Sequence, residues 1–297
     1  MIISVASGKG GTGKTTVATN LALSLGRGVQ FLDCDVEEPN AHIFIKPQIK
    51  NKKPVFIPIP EVDRSKCNFC GKCQEVCAYN AIAVVKKPTS DGEVLIFDDL
   101  CHGCGSCAFL CPQGAVKEVN KEIGFVEIGE KDSLQFVNGR LNIGQVMSPP
   151  LIRTVKDHIN PTRTVIIDAP PGTSCPVITA IRKSDFCILV TEPTPFGLND
   201  LILAVEVLRK LKIPFGIVIN RCDLGNQGVE NYCQKENIAI LMRIPFDREI
   251  AVLYSQGIPL VEAKPEYASN FREMCGIVAK NVRRGNQIGT RNYNGRF

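Results

Sequence analysis

The sequence predicts an α/β fold in which a parallel sheet is wrapped by helices, with a smaller α+β domain inserted into it. Three observations predict this. The apolar run Ile2 to Val5 leads through a glycine-rich stretch, Gly8 to Thr15, into Thr16 to Leu25, whose apolar residues fall at helical spacing. From Thr164 onward short apolar runs alternate with helical stretches, the pattern of parallel strands joined by crossover helices. Between these parts, eight of the 14 cysteines spell one motif twice. At 297 residues, 44% of them hydrophobic, the chain can bury one large core or two smaller ones. No apolar run approaches the roughly 20 residues that span a bilayer. The opening residues read as a strand rather than a signal segment, so a cytoplasmic protein without a membrane span is expected.

The glycine stretch, GKGGTGKT, contains Gly8, Lys9, Gly10, Gly11, Thr12, Gly13, Lys14 and Thr15, and Thr16 follows it. A glycine-rich loop between a strand and a helix lets successive N–H groups curl around phosphate. Lys14 then reaches the β- and γ-phosphates and Thr15 ligates Mg²⁺. This is a P-loop. Lys9 is not demanded by the basic motif, because Lys14 already supplies the phosphate charge. The next strand, Val29 to Leu32, runs into DCDVEEPN, Asp33 to Asn40. Carboxylates at the carboxyl end of a parallel strand lie beside the nucleotide crevice, although an Asp there can equally cap a helix or shape a turn.

From Pro47 to Pro60 the composition shifts to Pro, Lys and apolar residues, read as an extended connector and a domain boundary. An internal repeat follows: Cys67, Cys70, Cys73 and Cys77 recur as Cys101, Cys104, Cys107 and Cys111, and Ala81 recurs as Ala115. Each half reads C-x2-C-x2-C-x3-C, the bacterial ferredoxin run, in which the fourth cysteine serves the other cluster. The expected sets are therefore crossed: Cys67, Cys70, Cys73 and Cys111 for one [4Fe-4S] cluster, and Cys101, Cys104, Cys107 and Cys77 for the second. Gly71, Gly103 and Gly105 suit the tight loops. Two CxxC pairs could also build a zinc site, but the doubled 2-2-3 spacing favours clusters. Pro112 follows the last cysteine of the second run, whereas Ala78 stands after Cys77. Residues 78–100 read as a hairpin, AIAVV and EVLIF about TSDG.

The chain returns through GFVEIG and a helical stretch, SPPLIRTVKDHI, to the strand Thr164 to Ile167, which closes on Asp168 and APPGTS. A strand ending on Asp is the Walker B arrangement for Mg²⁺, and Gly172 could bring its N–H to the γ-phosphate. Strands at Phe186 to Val190, PFGIVIN and AILMRIP and a helix at Asp200 to Leu211 follow. At Asn220 to Asp223, NRCD stands at a strand end, where a carboxamide can pair with a purine edge. Of the six other cysteines, Cys34, Cys175, Cys187, Cys222, Cys233 and Cys275, most read as small packing residues, and Cys175, in GTSCP just after the Asp168 loop, is the exception. Net charge is +5, yet Lys280, Arg283, Arg284, Arg291 and Arg296 lie in an acid-free end; setting those five aside leaves 30 basic against 30 acidic residues. The end reads as a solubilising tail, and no nucleic-acid partner is expected.

GKGGTGKT resembles the deviant P-loop of the MinD, ParA, Mrp and nitrogenase iron protein superfamily. The resemblance covers residues 1–60 and 120–280 as a discontinuous ATPase domain. Residues 61–119 resemble a two-cluster ferredoxin inserted into it, and 281–297 form a basic flexible tail. In that superfamily the early lysine, here Lys9, reaches the partner subunit's nucleotide, which implies a homodimer on ATP binding. The resemblance makes Lys9, Lys14, Asp35 and Asp168 the catalytic set. Asp35 would orient the attacking water, while Asp33 and Asp168 join Thr15 about Mg²⁺. Asn220 and Arg221 would meet the base and Pro245 to Asp247 the nucleoside. ATP is favoured, but NRCD also resembles the guanine-reading NKxD. The implied function is an ATPase, slow without its partner, that gates electron delivery from two [4Fe-4S] clusters to a redox acceptor. The alternatives are an ATP-dependent cluster carrier serving an apo-protein acceptor, or a regulatory ATPase with a structural docking module. The CxxC that Mrp-type scaffolds carry late in the chain is absent.

Overall fold

The structure is a computed structural model that describes residues 1–87 and 91–284. The chain forms two units. One holds residues 1–52, 126–140 and the chain from 152 onward; the other holds 53–125 and 141–151. The strands are β1 (Ile2–Ala6), β2 (Val29–Asp33), β3 (Gln48–Val62), β4 (Ile82–Lys86), β5 (Gly92–Ile96), β6 (Val116–Lys131), β7 (Leu134–Leu141), β8 (Thr164–Asp168), β9 (Phe186–Thr191), β10 (Phe215–Asn220) and β11 (Ile240–Ile244).

Among the described residues, nine strands form one sheet in the order β11-β10-β9-β1-β8-β2-β7-β6-β3. The pairings from β11 through to β7 are all parallel. Two elements differ from the sequence expectation. The stretch Pro47 to Pro60 is not a connector, because Gln48–Val62 is a strand of 15 residues. It lies at the edge of the sheet, where a proline's missing N–H interrupts no ladder. The compact units change over at 53 and 125, and again at 141 and 151, where the sequence reading expects domain bounds at 61 and 119. No strand is expected over Leu134–Leu141, where Asn138 and Gly139 interrupt the apolar run, yet Asn138 is buried as β7 and donates to Glu127 at 3.2 Å.

One core covers a face of the sheet in the first unit. The helix Lys14–Leu25 buries Val17, Ala18, Leu21 and Ala22, and the helix Pro265–Arg284 adds Phe271, Met274, Cys275 and Val278 at spacings of three and four. These residues form one buried cluster with Ile3, Val5, Phe31, Phe136 and Phe186 of β1, β2, β7 and β9. Phe31 and Phe136 sit opposite each other in parallel register with rings 6.0 Å apart. The C-terminal helix runs to Arg284, so 281–284 belong to it and not to a tail; residues 285–297 lie outside the described residues.

This topology positions the site. β1 lies between β8 and β9, and the connections reverse there: β1 leads across β8 to β2, whereas β8 leads back across β1 to β9. Ligands of parallel sheets bind beyond the carboxyl ends of the strands at such a switch point. Read across the sheet, those ends carry Asn220 (β10), Glu192 (after β9), the glycine loop (after β1), Asp168 (β8) and Asp33 (β2).

In the second unit β4 and β5 pair as an antiparallel hairpin, Ile82 opposite Ile96 and Lys86 opposite Gly92. Of the TSDG turn, Thr89 and Ser90 lie outside the described residues. Left-handed backbone recurs at the offset of the cysteine repeat: Phe69 with Gly103, Gly71 with Gly105, Asn80 with Gly114. The repeat is therefore one of backbone shape as well as sequence. Phe69 adopts φ 55°, strained for a residue with a side chain. Its ring occupies the space in which a Cβ on Gly92 would fall 2.6 Å away.

Candidate functional site

The glycine loop turns through left-handed residues at Gly11 and Gly13, with φ 79° and 89°. A side chain at Gly13 would meet Asn220 Nδ2 at 2.4 Å, and one at Gly8 would meet the Asp200 carbonyl at 2.3 Å. Glycine is thus required by strain at the first and by close approach at both. Asn220 donates to the Thr12 carbonyl at 2.9 Å and accepts from the Arg221 N–H, so the NRCD loop braces the phosphate loop.

A cleft of about 450 Å³ opens above the loop. Gly10, Gly11, Gly13, Lys14, Thr15, Thr16 and Asp35 line one side, and Asn220, Arg221, Pro245, Phe246 and Asp247 another. The described surface thus brings together most of the residues expected from the sequence. Gly8, Lys9, Thr12, Asp33 and Asp168 do not line it. Asp247 reaches the cleft, but its carboxylate bonds the Glu249 N–H and Lys264 Nζ, each at 2.8 Å, as the cap of the helix Arg248–Ser255. Ile250 and Tyr254 of that helix also line the cleft and are not expected from the motifs. Their i, i+4 spacing beside the expected loop is the signal that could have found them.

Beneath the cleft, one ammonium meets several carboxylates. Lys14 Nζ lies 3.2 Å from Asp168 Oδ1 and 3.4 Å from Asp35 Oδ2. Burial pulls the Lys14 ammonium down, but Asp168 and Asp35 outweigh it and hold its pKa above the ordinary value. Burial first, and the Asp168 charge next, push the Asp35 carboxyl up to about 6 against the pull of Lys14. Asp33 is fully buried and raised well above the ordinary carboxyl range by burial and by Asp168 and Asp35. Its oxygens accept from the Asp35 and Ala41 N–H groups at 3.1 Å each, so it shapes the loop that carries Asp35. The Gly172 N–H, expected to meet phosphate, donates to the Ser7 carbonyl at 3.0 Å here.

Among the buried oxygens without a protein partner, two belong to this site: Asp168 Oδ2 and Thr12 Oγ1. A buried carboxylate oxygen on the Asp that meets the phosphate-loop Lys14 fits a hydrated Mg²⁺ and its nucleotide, the hard oxygen-rich surroundings that ion takes. Glu192 is a further residue that the motifs do not flag. It follows β9 and pairs with Arg221 and Lys9. An acid after a parallel strand was the available signal.

In the second unit the eight cysteines stand around two cavities. One is lined by Cys67, Cys70, Cys73 and Cys111, with Val62, Val84 and Val94. The other is lined by Cys77, Cys101, Cys104 and Cys107, with Tyr79 and His102, whose rings stack 3.6 Å apart. Backbone N–H groups aim at sulfur in matching places in the two halves. Phe69 N lies 3.4 Å from Cys67 Sγ and Gly103 N 3.5 Å from Cys101 Sγ. Ala81 N lies 3.3 Å from Cys77 Sγ and Ala115 N 3.4 Å from Cys111 Sγ. Four thiols around one hollow with N–H donors at the sulfurs fit a cluster held by thiolates, since such donors stabilise charge on sulfur. Among the described residues, no three His, Cys, Asp or Glu converge on a position for one metal ion.

The family model described as the CobQ/CobB/MinD/ParA nucleotide binding domain matches residues 3–260. The chain belongs to this family, and it is a P-loop ATPase of the MinD/ParA class. It is 33% identical over 281 residues to an uncharacterized protein of Methanocaldococcus jannaschii, covering 92% of this chain and 95% of that one. It is 27% identical over 283 residues to a Pyrococcus horikoshii protein named iron-sulfur cluster carrier protein, covering 87% and 78%. Its fold is similar to that of the septum site-determining protein MinD of Pyrococcus horikoshii, solved with Mg-ADP, with a TM-score of 0.57, 22% identity, and 94% and 96% of the two chains covered.

Proposed function

We propose that this ATPase carries two [4Fe-4S] clusters and acts as a nucleotide-gated electron carrier to a protein acceptor. The observation that supports it most is the division of the eight cysteines between two cavities, three from one run and the fourth from the other. Clusters so held supply one-electron transfer. In the ATPase unit, Lys14 binds the β- and γ-phosphates, and Thr15, Asp33 and Asp168 would hold Mg²⁺. Asp35, whose carboxylate already accepts from Lys14, orients the attacking water. Lys9 of a second copy adds positive charge at the γ-phosphate, the electrostatic route to phosphoryl transfer. ATP binding then joins two copies as a homodimer. In the sequence, the cysteine unit is entered after Asp35 and left before Asp168, so both of its connections lead to segments that respond to the γ-phosphate.

A second reading, an ATP-dependent carrier of clusters to apo-proteins, is favoured by the name of the Pyrococcus relative. One experiment separates the two. The reconstituted protein is mixed anaerobically with an apo-ferredoxin, with and without MgATP, and the iron remaining on each protein is measured. The electron carrier retains its iron while its clusters exchange electrons with an oxidised acceptor. Stoichiometric, ATP-dependent transfer of iron and sulfide would contradict that reading and establish the other.

A further inference from the structure

Glu192 has no part in the function proposed so far. Its side chain is 11% exposed, and its two oxygens serve two different cations. Oε1 accepts from Arg221 Nη1 at 2.6 Å, while Oε2 faces Lys9 Nζ at 3.8 Å. The contacts are unequal in a way that matters. A buried carboxylate stripped of its cation is strongly destabilising, yet if Lys9 departs, the shorter Arg221 contact remains. Lys9 can therefore leave without stranding the charge. Lys9 is also the looser partner by distance: its ammonium lies beyond hydrogen-bond distance, whereas the more exposed Arg221 guanidinium is held by a hydrogen bond. The Arg221 backbone is held through its neighbour, because Asn220 Oδ1 accepts the Arg221 N–H and Asn220 Nδ2 donates to the Thr12 carbonyl. Glu192 thus ties the loop expected to meet the base to the first lysine of the phosphate loop.

We propose that Glu192 is a positioning residue for Lys9. It parks the lysine against its own subunit in the chain without nucleotide and yields it to a second copy of the chain when ATP is bound. The proposal rests on the reading of Lys9 as a ligand of the partner's nucleotide. The parked contact opposes association, so its strength sets how much protein is needed for the ATP-bound dimer to form. Arg221 keeps Glu192 compensated throughout, which makes the exchange reversible when the nucleotide is lost.

Glu192→Gln tests this, since Gln keeps a hydrogen-bond acceptor for Arg221 but offers Lys9 no charge. Two readouts are needed. In the nucleotide-free monomer, lysines are reductively methylated with ¹³C, a change that keeps their charge, and the Lys9 resonance is assigned by its loss in Lys9→Ala. The resonance is expected to move toward those of free surface lysines in E192Q; an unmoved resonance overturns the proposal. In sedimentation with a non-hydrolysable ATP analogue and Mg²⁺, E192Q is expected to dimerise at about tenfold lower protein concentration, equivalent to about 1.4 kcal/mol. Unchanged or weaker dimerisation overturns it. If E192Q fails to fold, Glu192→Asp takes its place: the shorter acid keeps its charge but withdraws from Lys9, and the same two shifts are expected at smaller size. Lys9→Ala that dimerises like the wild type would instead overturn the reading of Lys9, and the lysine resonance would still decide the Glu192 contact.

Discussion

Lys14 stands against Asp168 and Asp35, with Asp33 close behind, and the balance among these charges is measurable. Because burial lifts the Asp35 carboxyl to about 6 while Lys14 pulls it down, removing the ammonium leaves only the raising influences. A ¹³C-carboxyl titration of the metal-free, nucleotide-free protein should show Asp35 protonating as pH falls through about 6. In Lys14→Met the midpoint should be higher, and an unchanged one would show that the two groups do not interact. Asp35→Asn, which keeps the shape but not the basicity, should lower the hydrolytic kcat by about 10²- to 10⁴-fold, the usual contribution of a positioned base, measured at saturating MgATP. At this scale the sequence was most legible where chemistry restricts residue type: glycines for a tight loop, aspartates at strand ends, cysteines at fixed intervals. Glu192 was only partly legible: its place after a parallel strand is a signal, but nothing in TEPT distinguishes a surface acid from one that holds two cations. The structural part of Asp33 was also hidden, since its backbone partners Asp35 and Ala41 become visible only once the loop is folded.

Elements fail or hold by their contacts. Gly13→Ala forces a Cβ to 2.4 Å from Asn220 Nδ2 on a backbone with φ 89°. It should abolish nucleotide binding by calorimetry while leaving the far-ultraviolet circular dichroism of the chain unchanged. Phe136→Ala removes half of the stacked pair linking β2 to β7 and should destabilise the first unit by about 3 to 5 kcal/mol, read from denaturant unfolding. In the cysteine unit, Cys111→Ser should remove the cluster site built with Cys67, Cys70 and Cys73. Iron bound after reconstitution should then fall by about half, with the signals of the other cluster kept. Loss of the cluster site built with Cys101 and Cys104 instead would contradict the crossed sets. The strands of the P-loop unit were legible from their apolar runs, and the hairpin of the insert from its alternation about a turn. β3 and β7 were not. Prolines disguised the first, which tolerates them because it is an edge strand. Asn138 and Gly139 disguised the second, where the buried Asn amide nitrogen donates to Glu127 while its Oδ1 has no partner.

For the whole molecule, the sequence made two parts legible because their signals are of different kinds, a phosphate loop with alternating strands and helices, and a doubled cysteine run. Where one part gives way to the other was less legible, since β3 and β6 run on past the boundary that composition suggests. No helix among the described residues is long and apolar enough to cross a membrane. The central claim is that nucleotide and cluster chemistry are coupled within one chain. An anaerobic, EPR-monitored redox titration of the reconstituted protein tests it most directly, run without nucleotide, with MgADP and with a non-hydrolysable ATP analogue. A nucleotide-dependent shift of tens of millivolts in at least one cluster is expected, where about 59 mV is a tenfold change in a one-electron equilibrium. Superimposable titrations in all three states would contradict the coupling.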